Sequence, residues 1–342
     1  MSLSVSTSQD LSQWHTFGLP AQANHAVTVT SIEELKQALQ LEQYRSLPKL
    51  ILGGGSNVLF TESFTGLLIR NRIMGKRVES HDDNFELHIG AGEEWDPLVR
   101  WCLDQGIAGL ENLGLIPGTM GAAPIQNIGA YGVELADYCS YVDYLDLELM
   151  TLIRVDAASC NFGYRDSIFK RELLGNAVIC AVGLTIPKQW QPQLRYGPLQ
   201  QLQQPTPQQI YDEVVAVRQS KLPDPDQLGN AGSFFKNPLI SKQQYQLLQQ
   251  QFGDIPGYGD DNAVKVPAGW LIDKCGLKGH QIGGAAVHQL QALVLVNIGN
   301  AVAEDVLALA RLVIDSVEQR YGIELEPEVR ILDSHGNKGF KR

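Results

Sequence analysis

Residues 304–321 carry the clearest periodic signal in the chain. Val306, Leu309, Val313, Val317 and Tyr321 fall on one face at helical spacing, and Gly322 ends the run. That stripe predicts a core helix. A second helix is predicted over 31–44, with Ser31 as N-cap and Glu34 completing a capping box. Asp96-Pro97 opens a third, which Gly106 stops. Thr206-Pro207 starts a fourth, with Ile210, Val214 and Val217 on one face, and Ser241 caps a glutamine-rich fifth. Short apolar or alternating runs predict strands at 48–52, 67–70, 85–89, 141–149, 177–186 and 293–296. Between 187 and 207 the composition shifts to Gln and Pro, which reads as a partly exposed insertion. Lys221-Leu-Pro-Asp-Pro-Asp226 is a proline-stiffened hinge and the expected domain boundary.

Length and charge narrow the function classes. The chain has 342 residues, enough for two or three domains. Its net charge of −11 argues against general nucleic-acid binding, although local arginines and lysines can still hold an anionic substrate. No run of about 18 apolar residues predicts a membrane span. The first residues lack the basic and apolar regions of a signal peptide. The five cysteines are scattered with no Cys-x-x-Cys, the pattern of reduced thiols in a cytoplasmic protein. His280 and His288 share no spacing with a third ligand, so no metal is expected.

Five segments offer chemistry. In Gly229-Asn-Ala-Gly-Ser-Phe-Phe-Lys-Asn-Pro238, a hydroxyl (Ser233), an ammonium (Lys236) and an amide (Asn237) lie beside two aromatics that can exclude water. Such a set can donate or relay a proton, or it can be a buried turn with Ser233 merely capping. Gly229 permits a tight turn there, and Gly232 permits close backbone approach. The turn Gly53-Gly54-Gly55-Ser56-Asn57 follows a strand, so successive N–H groups can face one anion such as a diphosphate. Val58 stands where a Gly-x-Gly-x-x-Gly motif needs its last glycine, which disfavours a Rossmann site. The small-residue segment Pro117 to Gly132 lets a ligand lie against backbone. Tyr164-Arg165-Asp166, if extended, puts Arg165 on the opposite side from its neighbours. Glu326-Pro327-Glu328, if extended, puts both carboxylates on one side.

These motifs occur in one order with Ile51–Phe60, Ile116–Gly132, Phe162–Ser167 and Leu325–Arg330. From about Trp14 to Arg330 the chain closely resembles the UDP-N-acetylenolpyruvoylglucosamine reductases, flavoenzymes of peptidoglycan precursor synthesis. The resemblance implies an α+β fold: a two-subdomain FAD-binding region of the vanillyl-alcohol oxidase type and a C-terminal α+β substrate domain. The boundaries it suggests are 14–217 for the FAD region (14–70 and 71–217, with an inserted loop near 187–207), 218–330 for the substrate domain, and a tail at 331–342. It implies non-covalent FAD, NADPH as co-substrate, the enolpyruvyl nucleotide sugar as substrate, and a cytoplasmic monomer. It assigns catalysis to Ser233 as proton donor, Arg165 on the enolpyruvyl carboxylate and Glu328 on the enolate. Glu328 either sits protonated or orients a water or an enol hydroxyl.

The resemblance places the FAD diphosphate on Gly53, Gly54, Gly55, Ser56 and Asn57. Around the flavin it places Pro117, Gly118, Gly121, Ala122, Ala123, Ile125, Asn127, Gly129, Ala130, Tyr131 and Gly132. Relatives often carry hydroxyl residues where this chain has Ala122 and Ala123, so those side-chain hydrogen bonds are absent here. Tyr164, Tyr196, Lys221, Asn237 and Gln291 are implied for the substrate, with Tyr196 on a loop inserted in one branch of the family. Lys236 or Lys221 is available to activate Ser233. Two other readings stay open: an FAD-dependent oxidase of the same fold, and a non-enzymatic nucleotide-sugar binding protein.

Overall fold

A computed structural model describes residues 3–259, 263–337 and 339–340. Met1 and Ser2, at the start of the segment read for a leader, lie outside the described residues, as do 338, 341 and 342 of the expected tail. The architecture is α+β, and the chain divides into two compact units.

The first unit takes the chain up to Ser8, Asn24–Gly54 and Gly66–Ser220. One sheet orders its strands Ser6–Asp10, Gln22–Val29, Phe64–Asn71, Lys49–Leu52, the last two parallel with Lys49 opposite Leu67. Helix α1 (Ile32–Gln40) packs Leu35 and Ala38 into that sheet's core with Val27, Val29, Leu67 and Ile69. Ser31 caps it by accepting from Glu34 N–H, while the Glu34 carboxylate takes the Thr30 amide and hydroxyl; the helix stops at Gln40, short of the expected 44.

A second, five-stranded antiparallel sheet runs Leu152–Asp156, Cys139–Asp146, Ala177–Pro187, Asn84–Gly90, Lys76–Ser80. Its strand 139–146 ends before the expected 149 because the Asp146 carboxylate accepts from Glu148 and Leu149 amides and turns the chain. Helix α2 (Trp95–Asp104) buries Trp95, Leu98, Val99 and Cys102 in the same core. Helix α3 (Pro207–Lys221) buries Ile210 and Val214 against Leu199, with Trp190, Leu194 and Leu202 alongside, so the Gln/Pro-rich insertion has an apolar base.

The second unit takes Gln9–Ala23, Gly55–Thr65 and the chain from Lys221. The division between units therefore falls inside the glycine turn, and 14–23 and 55–65 of the expected 14–217 region lie in the second unit. The unit's core is the predicted stripe of α6 (Ala303–Tyr321), packed with Leu271, Ile272, Phe234, Phe235 and Leu295. A four-stranded antiparallel sheet orders Asn230–Ser233, Val294–Asn297, Ala285–Val287, Gln281–Ile282. Helix α4 (Lys242–Phe252), capped by Ser241, and the short α5 (Ala268–Lys274) complete the layer. The expected tail at 331 begins inside a core strand instead: Arg330–Asp333 pairs in parallel with Val58–Phe60, burying Ile331 and Leu332.

Candidate active-site residues

In the first unit, two of the singled-out segments are in contact. A Cβ built on Gly53 would lie 2.4 Å from Thr119 Oγ1, and one on Gly54 would lie 3.0 Å from Gly118 Cα. Gly54 lets its backbone meet that of Gly118 with no side chain between them, and Gly53 leaves room for the Thr119 side chain. Pro117 and Ala122 are exposed, Gly121 abuts Ala91, and Ala123 and Asn127 point inward. Asn127, in the left-handed region, is spent on structure: its amide donates to Glu134 and Gly163 O, and its oxygen accepts from Ala136 N–H. Ile125, Gly129, Ala130 and Tyr131 are half-buried and Gly132 is exposed.

Residues 163–166 form a tight turn rather than an extended run. Gly163 and Asp166 exchange backbone hydrogen bonds, and Arg165 sits at φ 55. The turn lies against the Gly/Ala segment: Arg165 Nη1 donates to Gly129 O at 3.3 Å, and Ser167 Oγ donates to Ile125 O at 2.8 Å. Tyr164 flanks Arg165 with its ring, and Asp166 pairs with Arg171.

A residue missed by motif reading stands nearby. Arg218 lies on the apolar face of α3, one turn beyond Val214. Its Nε is shut off from solvent and makes no hydrogen bond to a described residue. Burial pulls its pKa down; Tyr131 and Asp96 oppose that, while the neighbouring Arg165 charge reinforces it. An arginine on an apolar helix face was the available signal.

In the second unit, Ser233 ends strand Asn230–Ser233. Asn230 pairs with Val296 and Ser233 with Val294, so the strand holds one extra residue and bulges. Gly232, at φ 69 and in open space, forms the bulge and aims Ser233. Gly229 is the glycine of close approach, since its Cβ would lie 2.3 Å from Phe17 O. The two glycines thus exchange the roles expected of them. Ser233 is half-buried, and its hydroxyl makes no hydrogen bond to a described residue.

Glu326–Glu328 is extended and bridged to the residues after Ser233. Lys236 N–H donates to Glu326 O at 2.9 Å, and Glu328 N–H donates to Phe234 O at 2.7 Å. Lys236 is committed to the Glu326 carboxylate at 2.7 Å, so it is not a spare ammonium for Ser233. Gly55, at φ 66, abuts Trp14 O, Ser56 is half-buried, and Asn57 donates to Glu328 O at 3.3 Å. Asn237 Oδ1 accepts from Ala268 N–H, and Gln291 Oε1 accepts from Leu293 N–H beside Gly269. Lys221 is exposed. The cavity among Thr61, Leu307, Arg311 and Phe340 contains none of these residues.

Comparison with known proteins divides the chain in a similar way. A family profile described as an FAD binding domain matches 23–151, and one described as the C-terminal domain of UDP-N-acetylenolpyruvoylglucosamine reductase matches 224–332. These two matches define a flavin-binding type of protein with a dedicated C-terminal domain. A UDP-N-acetylenolpyruvoylglucosamine reductase of Pasteurella multocida is 53% identical over 96% of this chain and 97% of its own. That of Escherichia coli is 50% identical over 95% and 96%. The crystal structure of the reductase from Thermus caldophilus superimposes with a TM-score of 0.68 at 25% identity, covering 97% of this chain and 99% of that one. The chain belongs to the UDP-N-acetylenolpyruvoylglucosamine reductase family.

Proposed function

We propose that this protein reduces UDP-N-acetylenolpyruvoylglucosamine to UDP-N-acetylmuramate, with NADPH as reductant and non-covalent FAD as cofactor. The first unit suits FAD: the half-buried Gly53, Gly54 and Gly118 carry no side chains, so a ligand can approach their backbone closely, and Arg218 offers an enclosed, unanswered N–H. FAD, when bound, carries the hydride from NADPH to the terminal vinyl carbon of the substrate.

The chain's own residues handle the charge and proton that follow. Addition of hydride to the vinyl carbon leaves negative charge on the α-carbon and its carboxylate. Arg165 takes that carboxylate, which suits a guanidinium fork, and Glu328 acts on the same enolate. Ser233 donates the proton to the α-carbon. The observation that carries this reading is Ser233, half-buried after a glycine bulge, with a hydroxyl that has no described partner. Gly53 to Asn57 serve the FAD diphosphate, and the Gly/Ala segment serves the flavin. Tyr164, Tyr196, Lys221, Asn237 and Gln291 hold the nucleotide sugar; Asn237 and Gln291 do so with the groups that α5 and Leu293 leave over.

We place the protein in the cytoplasm as a monomer, serving peptidoglycan synthesis and, through it, cell shape and division. Five unpaired cysteines, four of them buried, support a reducing compartment. Burial holds the thiols of Cys102, Cys139 and Cys160 at about 12, far from reactive. No helix among the described residues is long and apolar enough to cross a membrane.

The test is direct. The protein purifies yellow, acid releases FAD, and NADPH is consumed in step with the enolpyruvyl sugar under anaerobic conditions. A colourless protein that binds UDP-sugars, or steady turnover with oxygen in place of the sugar, overturns the reading.

A further inference from the structure

The turn Glu111–Leu113 is a fixed platform. Trp95 Nε1 donates to Leu113 O at 2.9 Å, and a Cβ on Gly114 would strike the Tyr211 ring at 2.7 Å. The platform carries a carboxylate and an amide inside the apolar run Leu110–Leu115, with Glu111 only 2% and Asn112 only 1% exposed. Such groups are kept buried only when their hydrogen bonds are filled. Glu111 accepts from Gly109 N–H and from Trp190 Nε1–H, both at 2.6 Å. Asn112 has two amide protons and spends them on two segments: Tyr131 O at 3.0 Å and Gln193 O at 2.9 Å.

Trp190 and Gln193 belong to the inserted loop, and Tyr131 to the Gly/Ala segment. The two segments also touch, since the Tyr196 ring lies 3.3 Å from where a Gly132 Cβ would be. Tyr131 packs against the Leu199, Ile210 and Val214 cluster that also receives Trp190, Leu194 and Leu202.

We propose that Asn112 is a positioning residue that staples the tyrosine loop to segment 129–132, so that loss of its amide loosens both the loop and the hold of 129–132 on the cofactor. Trp190, through Glu111, anchors the loop alone. The proposal rests on the reading of 129–132 as part of the FAD site.

The experiment uses the FAD-loaded enzyme and two readouts. One is the rate of tryptic cleavage after Arg195, mapped by mass spectrometry; the other is the rate of FAD release, followed by flavin emission. Asn112→Asp is isosteric but replaces two donors with an acceptor. It is expected to raise both rates by about tenfold or more, the worth of one to two hydrogen bonds. Trp190→Phe is expected to raise cleavage after Arg195 and leave FAD release unchanged. Asn112→Asp moving only one readout, or Trp190→Phe moving both alike, overturns the staple. Should Asn112→Asp not accumulate folded, Asn112→Ser decides, since one hydroxyl proton cannot serve two carbonyls. Gly132→Ala separates the two failures. Unchanged FAD release there removes the flavin assignment of the segment, whereas unchanged cleavage in the Asn112 variants removes the staple itself.

Discussion

The Glu328 amide donates to the carbonyl of Phe234 at 2.7 Å, tying the proposed carboxylate to the residue that follows the proposed proton donor. The two are 95 positions apart in the chain (328 − 233 = 95) and neighbours in the fold. Ser233→Ala leaves that backbone bridge intact and removes only the hydroxyl. The expected result is near-normal reduction of the enzyme by NADPH and a roughly 10²–10⁴-fold slower reaction with the enolpyruvyl sugar. Stopped-flow absorbance separates the steps, and equal slowing of both makes Ser233 structural.

Two glycines near Ser233 separate aim from stability. Gly232→Ala meets no atom within 4 Å but must hold φ 69, at a cost of roughly 1–2 kcal/mol. Gly229→Ala pushes a methyl into the Phe17 backbone, which cannot swing away. The Gly229 variant is expected to lose more melting temperature. The Gly232 variant is expected to lose more turnover with the enolpyruvyl sugar per degree of melting temperature lost. Thermal melts beside steady-state rates check the ordering.

Arg218 gives a prediction of opposite signs. A guanidinium whose Nε is shut off from solvent without a hydrogen bond weighs against the empty fold, and removing such a charge is often neutral or stabilising. Arg218→Met is expected to leave the FAD-free protein as stable or more so, and to shrink the rise in melting temperature that FAD confers. Equal loss of stability with and without FAD contradicts it.

The phenol of Tyr196 is the polar tip of the inserted loop, 50% exposed above Gly132. Tyr196→Phe keeps the ring and removes one donor. Binding of the nucleotide sugar to oxidised enzyme is expected to weaken by about 0.5–1.5 kcal/mol, with NADPH reduction unchanged. Equal dissociation constants by titration take the loop out of substrate binding.

His15 sets a pH dependence. Its Nε2–H donates to Leu19 O at 3.1 Å, its Nδ1 is buried without a partner, and burial lowers its pKa below the ordinary 6.5, against smaller raising effects from Leu19 and Asp10. The unfolded chain therefore takes up the proton first. The stability contributed by neutral His15 is full above the ordinary value and is lost as pH falls from there toward the lower folded value. His15→Gln is expected to flatten the loss of melting temperature between about pH 7.5 and pH 5.5. A residual slope remains from His88 and His288, which burial lowers likewise. An unchanged slope in the variant removes His15 from the account.

What the sequence determined on its own is local or carried by motif. The apolar stripe of α6, the serine caps at Ser31 and Ser241, and most strands follow from side-chain spacing and one-turn hydrogen bonds, which the chain specifies without distant partners. The family was legible because its glycine and serine motifs keep their order. Tertiary structure decided the remainder, through contacts between residues far apart in sequence. It divided the glycine turn between two units and made Ile331 and Leu332 core rather than tail, through pairing with Leu59 and Phe60. It closed the Arg165 segment into a turn, committed Lys236 to Glu326, and gave Gly229 the close approach and Gly232 the bulge. Arg218, Glu111 and Asn112 carry no motif. A buried polar group declares itself only when its partners, or their lack, are seen in space.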